Sequence, residues 1–397
     1  MIVRYTLVIL TLFGILIAWR RSDTEWNIYQ AVILLLFTGV IVAWALHRNE
    51  LRWTWAFVPL IAIAAWPAFQ LAAGLTVYRQ VTIVELLRWT TYPAIFALAF
   101  WSFRHRTELN WLFRVLIVFS LCVAAEATMQ HFASNGKMYW LFTSADPIDM
   151  GPFLNRDHYA SYMALIIPMA MLRAFDEPKR RLTYTLAAAA MYASVIAGAS
   201  RAGSLLVTAE ALICLFLISI RPRQSGWERH RLTLGSIFLI ATLVTVVGWE
   251  PLWKRFVDEK DPYRDRRELA LSSIAMVREK PLTGFGAGTW TSVYPAYALI
   301  DPGLFANAAH NDWLQWAADG GLPFAAFFVA LFGLSLVVSW KVPWAIGIPA
   351  VFIHCLVDFP IGDGRYFPAV LFLIFGAALA RAKSDRVRSP VTAQHSG

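Results

Sequence analysis

Charge is what this sequence has least of: Asp, Glu, Lys and Arg make up 15% of its 397 residues, against about a quarter in a soluble domain. That shortage, with 58% hydrophobic residues and a mean hydropathy of +0.53, excludes water as the main solvent. Cysteine is nearly absent. Cys122, Cys214 and Cys355 each lie in an apolar segment with no CxxC or Cys/His spacing, so neither a disulfide framework nor a zinc site is indicated. No small-residue cleavage site follows the first apolar run, Ile2 to Trp19, which ends in Arg20 and Arg21 and reads as a retained membrane span. The net charge of +9 does not make a nucleic-acid binder, because the Lys and Arg residues flank apolar runs and form no basic face.

Those runs are about 16 to 22 residues long, the length that crosses a hydrocarbon core as helix. They fall near residues 2–19, 27–46, 54–73, 89–103, 111–131, 158–172, 182–200, 204–220, 232–249, 322–340, 342–359 and 366–381. The expected fold is therefore all-α, a polytopic bundle of about twelve transmembrane helices forming one membrane domain over residues 1–397. Positive charge is retained in the cytoplasm. With both termini inside, the inner loops hold Arg48, Arg52, Arg104, Arg106, Arg173, Lys179, Arg180, Arg181, Arg221, Arg223, Arg229, Arg231 and Lys341. The outer loops hold Arg20, Arg21, Arg79, Arg88, Lys137, Arg156, Arg201 and Arg365. A short, basic tail from residue 383 to 397 is expected to be cytoplasmic and disordered.

Two connections are too long for simple turns, 132–157 and the larger 250–321 between the ninth and tenth spans, and both fall outside. The larger carries a helical run from Arg266 to Glu279, a glycine-rich stretch from Thr283 to Gly288, aromatics at Trp290, Tyr294 and Tyr297, and a short helix from Asn311 to Asp319. A long loop with helices and aromatics is a place for function.

The polar residues at this outer edge are the candidates for chemistry. Arg201, within GASRAG (198–203), is either an interfacial anchor or, with its small neighbours, an anion site beside backbone N–H groups. Arg264, Arg266 and Arg267 sit beside Asp261, Asp265 and Glu268, so a salt-bridged turn competes with phosphate recognition, for which guanidinium forks are suited. His310 in AHND (309–312) is either interfacial or the base that takes a proton from a sugar hydroxyl. On the following helix Asp312, Gln315, Trp316 and Asp319 share a face. His354 and Asp358, four apart, read as one face of a late span, serving either function or helix packing. Asn155, Arg156, Asp157 and His158 form a polar run at a span entrance, where capping competes with acceptor binding.

These segments together resemble the O-antigen ligase and polymerase superfamily of bacterial membrane enzymes. The matching stretches are NRDHYASYMALIIPMA from Asn155, GASRAGSLL from Gly198, REKPLTGFGAGTW from Arg278, AHNDWLQWAADGGLP from Ala309 and HCLVDFP from His354. The resemblance implies a metal-independent, inverting glycosyltransferase with no cofactor, in the bacterial inner membrane with its active site on the periplasmic face. Its partners would be an undecaprenyl-diphosphate-linked glycan donor, a glycan or lipid A core acceptor, and membrane lipids. Carried over by position, His310 would activate the acceptor hydroxyl, and Arg201 with Arg266 or Arg267 would hold the donor pyrophosphate. Asn155, Asp157, Asn311, Asp312, Asp319, His354 and Asp358 would bind acceptor or support the site. Where members often carry a tryptophan four residues after the loop arginine this sequence has Ala270, which leaves open the choice among Arg264, Arg266 and Arg267, with Arg266 favoured. A ligase moving finished polymer and a polymerase joining lipid-linked repeats would use the same residues. A solute transporter is the reading from another class, and it would place polar residues and broken helices near mid-membrane.

Overall fold

The structure is a computed structural model that describes residues 2–47, 52–143, 150–220, 226–257, 264–299, 305–362 and 364–384. Arg48, Arg221, Arg223, Asp261 and the tail beyond Ser384 lie outside the described residues, as do the side chains of Arg229, Arg231 and Arg264.

Every apolar run of the sequence contains a helix. They are α1 (Ile2–Leu16), α2 (Asp23–Leu46), α3 (Phe57–Ala72), α4 (Arg79–Ser102), α5 (Arg106–Ala133), α6 (Arg156–Asp176), α7 (Arg181–Ala197), α8 (Arg201–Ser219) and α9 (Gly226–Val247). The loop adds α10 (Glu250–Val257), α11 (Arg264–Glu279) and α12 (Trp290–Val293), and the chain ends with α13 (Asp312–Lys341), α14 (Gly347–His354) and α15 (Phe367–Ser384). Two short antiparallel strands, β1 (Lys137–Met138) and β2 (Phe142–Thr143), pair Lys137 with Thr143 and Met138 with Phe142. Among the described residues six helices are long and apolar enough to cross a membrane: α2, α4, α5, α8, α13 and α15. The apolar helices at 2–16, 57–72 and 343–354 are shorter. The chain is an all-α, multi-pass membrane protein.

Packing explains the order of burial. Helix α15 is enclosed, with Phe372, Leu373, Ile374 and Phe375 inaccessible or nearly so, and it lies against α4, where Tyr92 stacks on Phe372. Helix α6 is buried along most of its length between α7, α8 and α14. By contrast α2 exposes Ile28, Leu35, Val42 and Leu46, an apolar surface that suits lipid and not water.

One sequence reading is corrected here. Arg88, assigned to an outer loop, is a buried residue of α4, which starts ten residues before the span read from hydropathy. Its guanidinium donates to Glu85, to the Tyr92 hydroxyl and to the carbonyls of Ile361 and Gly364, partners that offset the cost of burying a cation. The short helix expected at 311–319 is present as the first part of α13, which is two helices joined at a kink: Gly321, with φ 75° and ψ 177°, is not helical and separates it from the span that follows. That backbone conformation is open to glycine and strained for any other residue.

The loop after α10 has its own small core. Trp290 and Tyr294 stack with ring centroids 4.6 Å apart, packed with Leu269 and Met276 of α11 and with Phe285. Their polar atoms are satisfied within it: Trp290 Nε1 donates to Ser273 Oγ at 2.9 Å and Tyr294 Oη to Glu268 Oε2 at 2.7 Å. Gln70 of α3 fastens this unit to the bundle through the carbonyls of Thr283 and Asp319 and the amide of Ala287.

Candidate functional site

Three helix starts and one helix end meet at the site. Asn155 caps α6 by accepting from the Asp157 amide at 2.7 Å, Ser200 caps α8 from Gly203, and Asn311 caps α13 from Leu314, each satisfying an amide that a helix leaves unpaired. The capping residues therefore fix the neighbours that carry the chemistry: Asp157, Arg201 and His310.

The fourth component is the turn after α14. The sequence reading put His354 and Asp358 on one face of a helix, but α14 ends at His354, and Asp358 lies in the turn beyond it. Pro360 keeps the helix from resuming, since the residue before a proline, Phe359, is pushed out of the helical region. The carbonyls of this turn are held by site residues. Asp312 N donates to Cys355 O and Asp358 O, Asn311 Nδ2 to Leu356 O, and Arg266 Nη1 to Val357 O at 2.6 Å.

The result is a carboxylate with only 1% of its surface exposed, faced by two imidazoles. His310 Nδ1 is 3.8 Å from Asp358 Oδ1, and His158 Nε2 is 3.8 Å from Asp358 Oδ2. Both rings meet Phe359 edge-on, at 4.4 and 5.1 Å between centroids. His354 lies alongside, its Nδ1 2.7 Å from Ser161 Oγ. Among the described residues none of Asp358 Oδ1, Asp358 Oδ2, His158 Nε2, His310 Nδ1 and His354 Nε2 has a hydrogen-bond partner. Buried polar atoms are almost always paired, so five unpaired ones in a single cluster mark a place built for something other than packing. His310 is the one partly open to the outside, with 32% of its side chain exposed, and it sits at φ 49°. A non-glycine residue held in that region costs about 1–3 kcal/mol and is typical of functional turns.

Arg266 joins the same cluster, with Nη2 3.7 Å from Asp157 Oδ2. Asp157 is hydrogen-bonded in turn by Ser200, the residue before Arg201. Arg201 reaches across to α10, donating to the Arg255 carbonyl at 3.1 Å, while Arg255 donates back to the Ala199 carbonyl at 2.8 Å. Ala199, like His310, has a positive φ, of 52°. The small residues around Arg201 have a use the sequence did not reveal: a Cβ on Gly203 would lie 2.2 Å from Ala160 Cβ, so the glycine lets α8 close on α6 and carries Arg201 to the Asp157 side.

Of the sequence candidates, Arg201, Arg266, His310, Asp157, His354 and Asp358 are thus linked directly or through one residue, and Asn155 and Asn311 shape the backbone that bears them. Arg267 is exposed on α11. Asp312 and Asp319 face inward and hold backbone: Asp312 accepts from Ile361 N at 3.0 Å, and Asp319 from Gly288 N at 3.0 Å and Trp290 N at 2.8 Å. They are scaffold, the supporting half of the sequence reading. From sequence His158 counted only as part of a polar run at a span entrance, and Ser200 only as a small neighbour of Arg201. The signal for His158 was present in the polar run Asn155 to His158, but nothing local tells that it faces a carboxylate two hundred residues away.

Chemically, a histidine on a partly open turn, backed by a buried carboxylate, is a general base of the kind that takes a hydroxyl proton. The two arginines supply planar forks for oxyanions. Among the described residues no group of three or more His, Cys, Asp or Glu side chains is disposed to hold a metal ion.

A family model described as O-antigen ligase matches residues 186–329, about a third of the chain. The match includes Arg201, Arg266, Arg267 and His310, while the stretches from Asn155 and His354 lie outside it. No curated protein is similar enough to add to that match. Over residues 186–329, then, the chain is similar to the O-antigen ligase family.

Proposed function

We propose that this protein is a glycosyltransferase that transfers glycan from undecaprenyl diphosphate to a sugar hydroxyl of an acceptor such as lipid A core, on the periplasmic face of the bacterial inner membrane. His310 removes the proton of the acceptor hydroxyl. The freed oxygen attacks the anomeric carbon, the bond from that carbon to the diphosphate oxygen breaks, and direct displacement inverts the centre. Arg201 and Arg266 balance the charge of the departing diphosphate, a preorganised contribution that does not require a metal or other cofactor. Asp358 stabilises the imidazolium that forms on His310 and holds its orientation, as an acidic partner does for a catalytic histidine.

The observation that carries the reading is the pairing of His310 and His158 with the buried, otherwise unpartnered Asp358, beside Arg266. The superfamily match supplies the reaction class. In the proposed topology all twelve apolar helices cross the bilayer, both termini are cytoplasmic, and the 250–321 loop is periplasmic, which follows the charge asymmetry of the connections.

The test is deletion of the chromosomal gene with analysis of lipid-linked and surface glycan, complemented by wild type and by His310→Ala, Arg201→Ala and Arg266→Ala. Long polymer stranded on its carrier supports the ligase. Single repeats on the carrier mean that the same site serves a polymerase of O-antigen, exopolysaccharide or capsule. Unchanged glycan, or full complementation by all three variants, overturns the enzymatic reading in favour of a transporter.

A further inference from the structure

A polar cavity of about 210 Å³ lies between α4, the first part of α13 and the loop that carries α12. Its walls include Glu85 of α4, Thr291 and Asn307 of the loop and Gln315 of α13, together with the indoles of Trp89 and Trp316. The chemistry proposed above uses none of these residues. Gly288 lets the loop come down on this wall, because a Cβ there would lie 2.5 Å from Glu85 Cγ.

The polar groups of the wall are fixed from behind. Arg88 Nη1 donates to Glu85 Oε1 at 3.0 Å, and since a carboxylate accepts about four hydrogen bonds, Glu85 is an anchored acceptor with capacity for an occupant. Gln315 Oε1 accepts from Ala309 N at 3.0 Å, which sets the direction of the amide. Its Nε2 is then the donor, 3.9 Å from where a Cβ on Gly362, another lining residue, would stand. Thr291 Oγ1 donates to the Asn307 carbonyl at 3.3 Å and ties the rim together. Trp89 and Trp316 meet edge to face at 6.4 Å and add apolar surface. Arg88 and Arg365, which also line the cavity, are paired with Glu85 and Asp23, so what the wall offers is hydrogen bonding more than charge. An anchored acceptor, an oriented amide donor and indole surface suit a sugar ring, whose hydroxyls both donate and accept and whose C–H face packs on aromatics. The volume exceeds the roughly 150 Å³ that admits a benzene ring, which leaves room for one pyranose with its hydroxyls.

We propose that this cavity is a subsite for one uncharged pyranose ring of the acceptor glycan, held by Glu85, Gln315 and the loop rim at Thr291 and Asn307. The assignment to the acceptor rests on the glycosyltransferase reading above; the binding of a pyranose does not. Gln315 links the subsite to the reaction centre, because the Ala309 amide it holds belongs to the residue before His310. The cavity borders that centre from the α4 and α13 side, whereas Arg201 and Arg266 belong to α8 and α11. A ring bound here therefore approaches His310 from the side away from the arginines, as an acceptor must.

The experiment uses the full-length protein in nanodiscs of phosphatidylcholine. Binding of the methyl glycosides of glucose, galactose, mannose and N-acetylglucosamine is followed by saturation-transfer NMR and titration, with sorbitol as the open-chain control. At least one glycoside is expected to bind at least tenfold more tightly than sorbitol. Asn307→Trp, which covers the rim from an exposed position and leaves the backbone bond to Thr291 in place, is expected to weaken that binding at least tenfold. Gln315→Ala, which removes the amide donor, is expected to do the same, each variant being checked by its melting. His310→Ala is expected to bind as wild type does. Binding of no glycoside above sorbitol, or undiminished binding by Asn307→Trp, overturns the proposal. A tenfold preference for glucuronate or glucosamine over every neutral glycoside overturns it in favour of an ionic site. In glycan joining, Asn307→Trp should raise the KM for acceptor and leave that for lipid-linked donor unchanged; the reverse overturns the assignment to the acceptor. Survival of glycan joining in His310→Ala cells would sink the catalytic reading and leave the binding result untouched.

Discussion

Gln70 makes three of the hydrogen bonds that attach the loop to the bundle, and its replacement has a calculable effect. The side chain is fully buried, donates to Thr283 O at 2.8 Å and Asp319 O at 2.9 Å, and accepts from Ala287 N at 3.0 Å. Gln70→Leu keeps the volume and removes all three bonds. Asp319 O retains its bond from Gly286 N and the Thr283 carbonyl is only part-buried, so the Ala287 amide is the group left buried without its partner. Such a group costs about 1–3 kcal/mol, so the local structure loses about 2 kcal/mol, or about 30-fold in its opening equilibrium. Hydrogen exchange on the protein in nanodiscs reads this directly, because exchange of a protected amide follows local opening. Peptides covering 283–290 should exchange about 30-fold faster in the variant, while those of α15 should not change. Acceleration of less than about threefold, or equal acceleration everywhere, would refute the idea that this glutamine pins the loop.

Two further substitutions test the helix packing around the site. Gly203→Ala puts a Cβ 2.2 Å from Ala160 Cβ and should cost about 1–3 kcal/mol, seen as a lower melting temperature that Ala160→Gly partly restores; a variant that melts as wild type does would contradict the close approach of α8 to α6. Arg88→Met strands the Glu85 carboxylate and the Ile361 and Gly364 carbonyls, so about 3–5 kcal/mol should be lost and recovery of monodisperse protein should fall, with Glu85→Gln in the same chain recovering part of it. Equal yields for the single and double variants would mean that the pair is not coupled.

The helices were legible in the sequence because a run of apolar residues has one solution in lipid, and all twelve runs contain one. What hydropathy cannot see is a charge whose partners are distant. Arg88 counts as a polar interruption until Ile361 and Gly364 are placed next to it, and for this reason the start of α4 was read too late. The site was legible in part. His310, Arg201 and Arg266 stood out by residue type and by neighbours, and Asp358 by being ionisable in an apolar stretch. The grouping of His158, His310 and Asp358 was not legible, since 152 residues separate the two histidines and Asp358 lies 48 residues beyond His310, and only the turn after α14 brings the carboxylate between them. For Asp319 the sequence left acceptor binding and support open, and only the fold shows its carboxylate committed to the amides of Gly288 and Trp290.

The most direct measurement of the central claim is release of undecaprenyl diphosphate by the purified protein, given lipid-linked glycan and acceptor, with wild type and His310→Ala compared at equal amounts. A general base contributes about 10²- to 10⁴-fold, so the account predicts that the variant, folded as judged by its melting, releases the carrier at least about a hundredfold more slowly. Release by His310→Ala at the wild-type rate would contradict it.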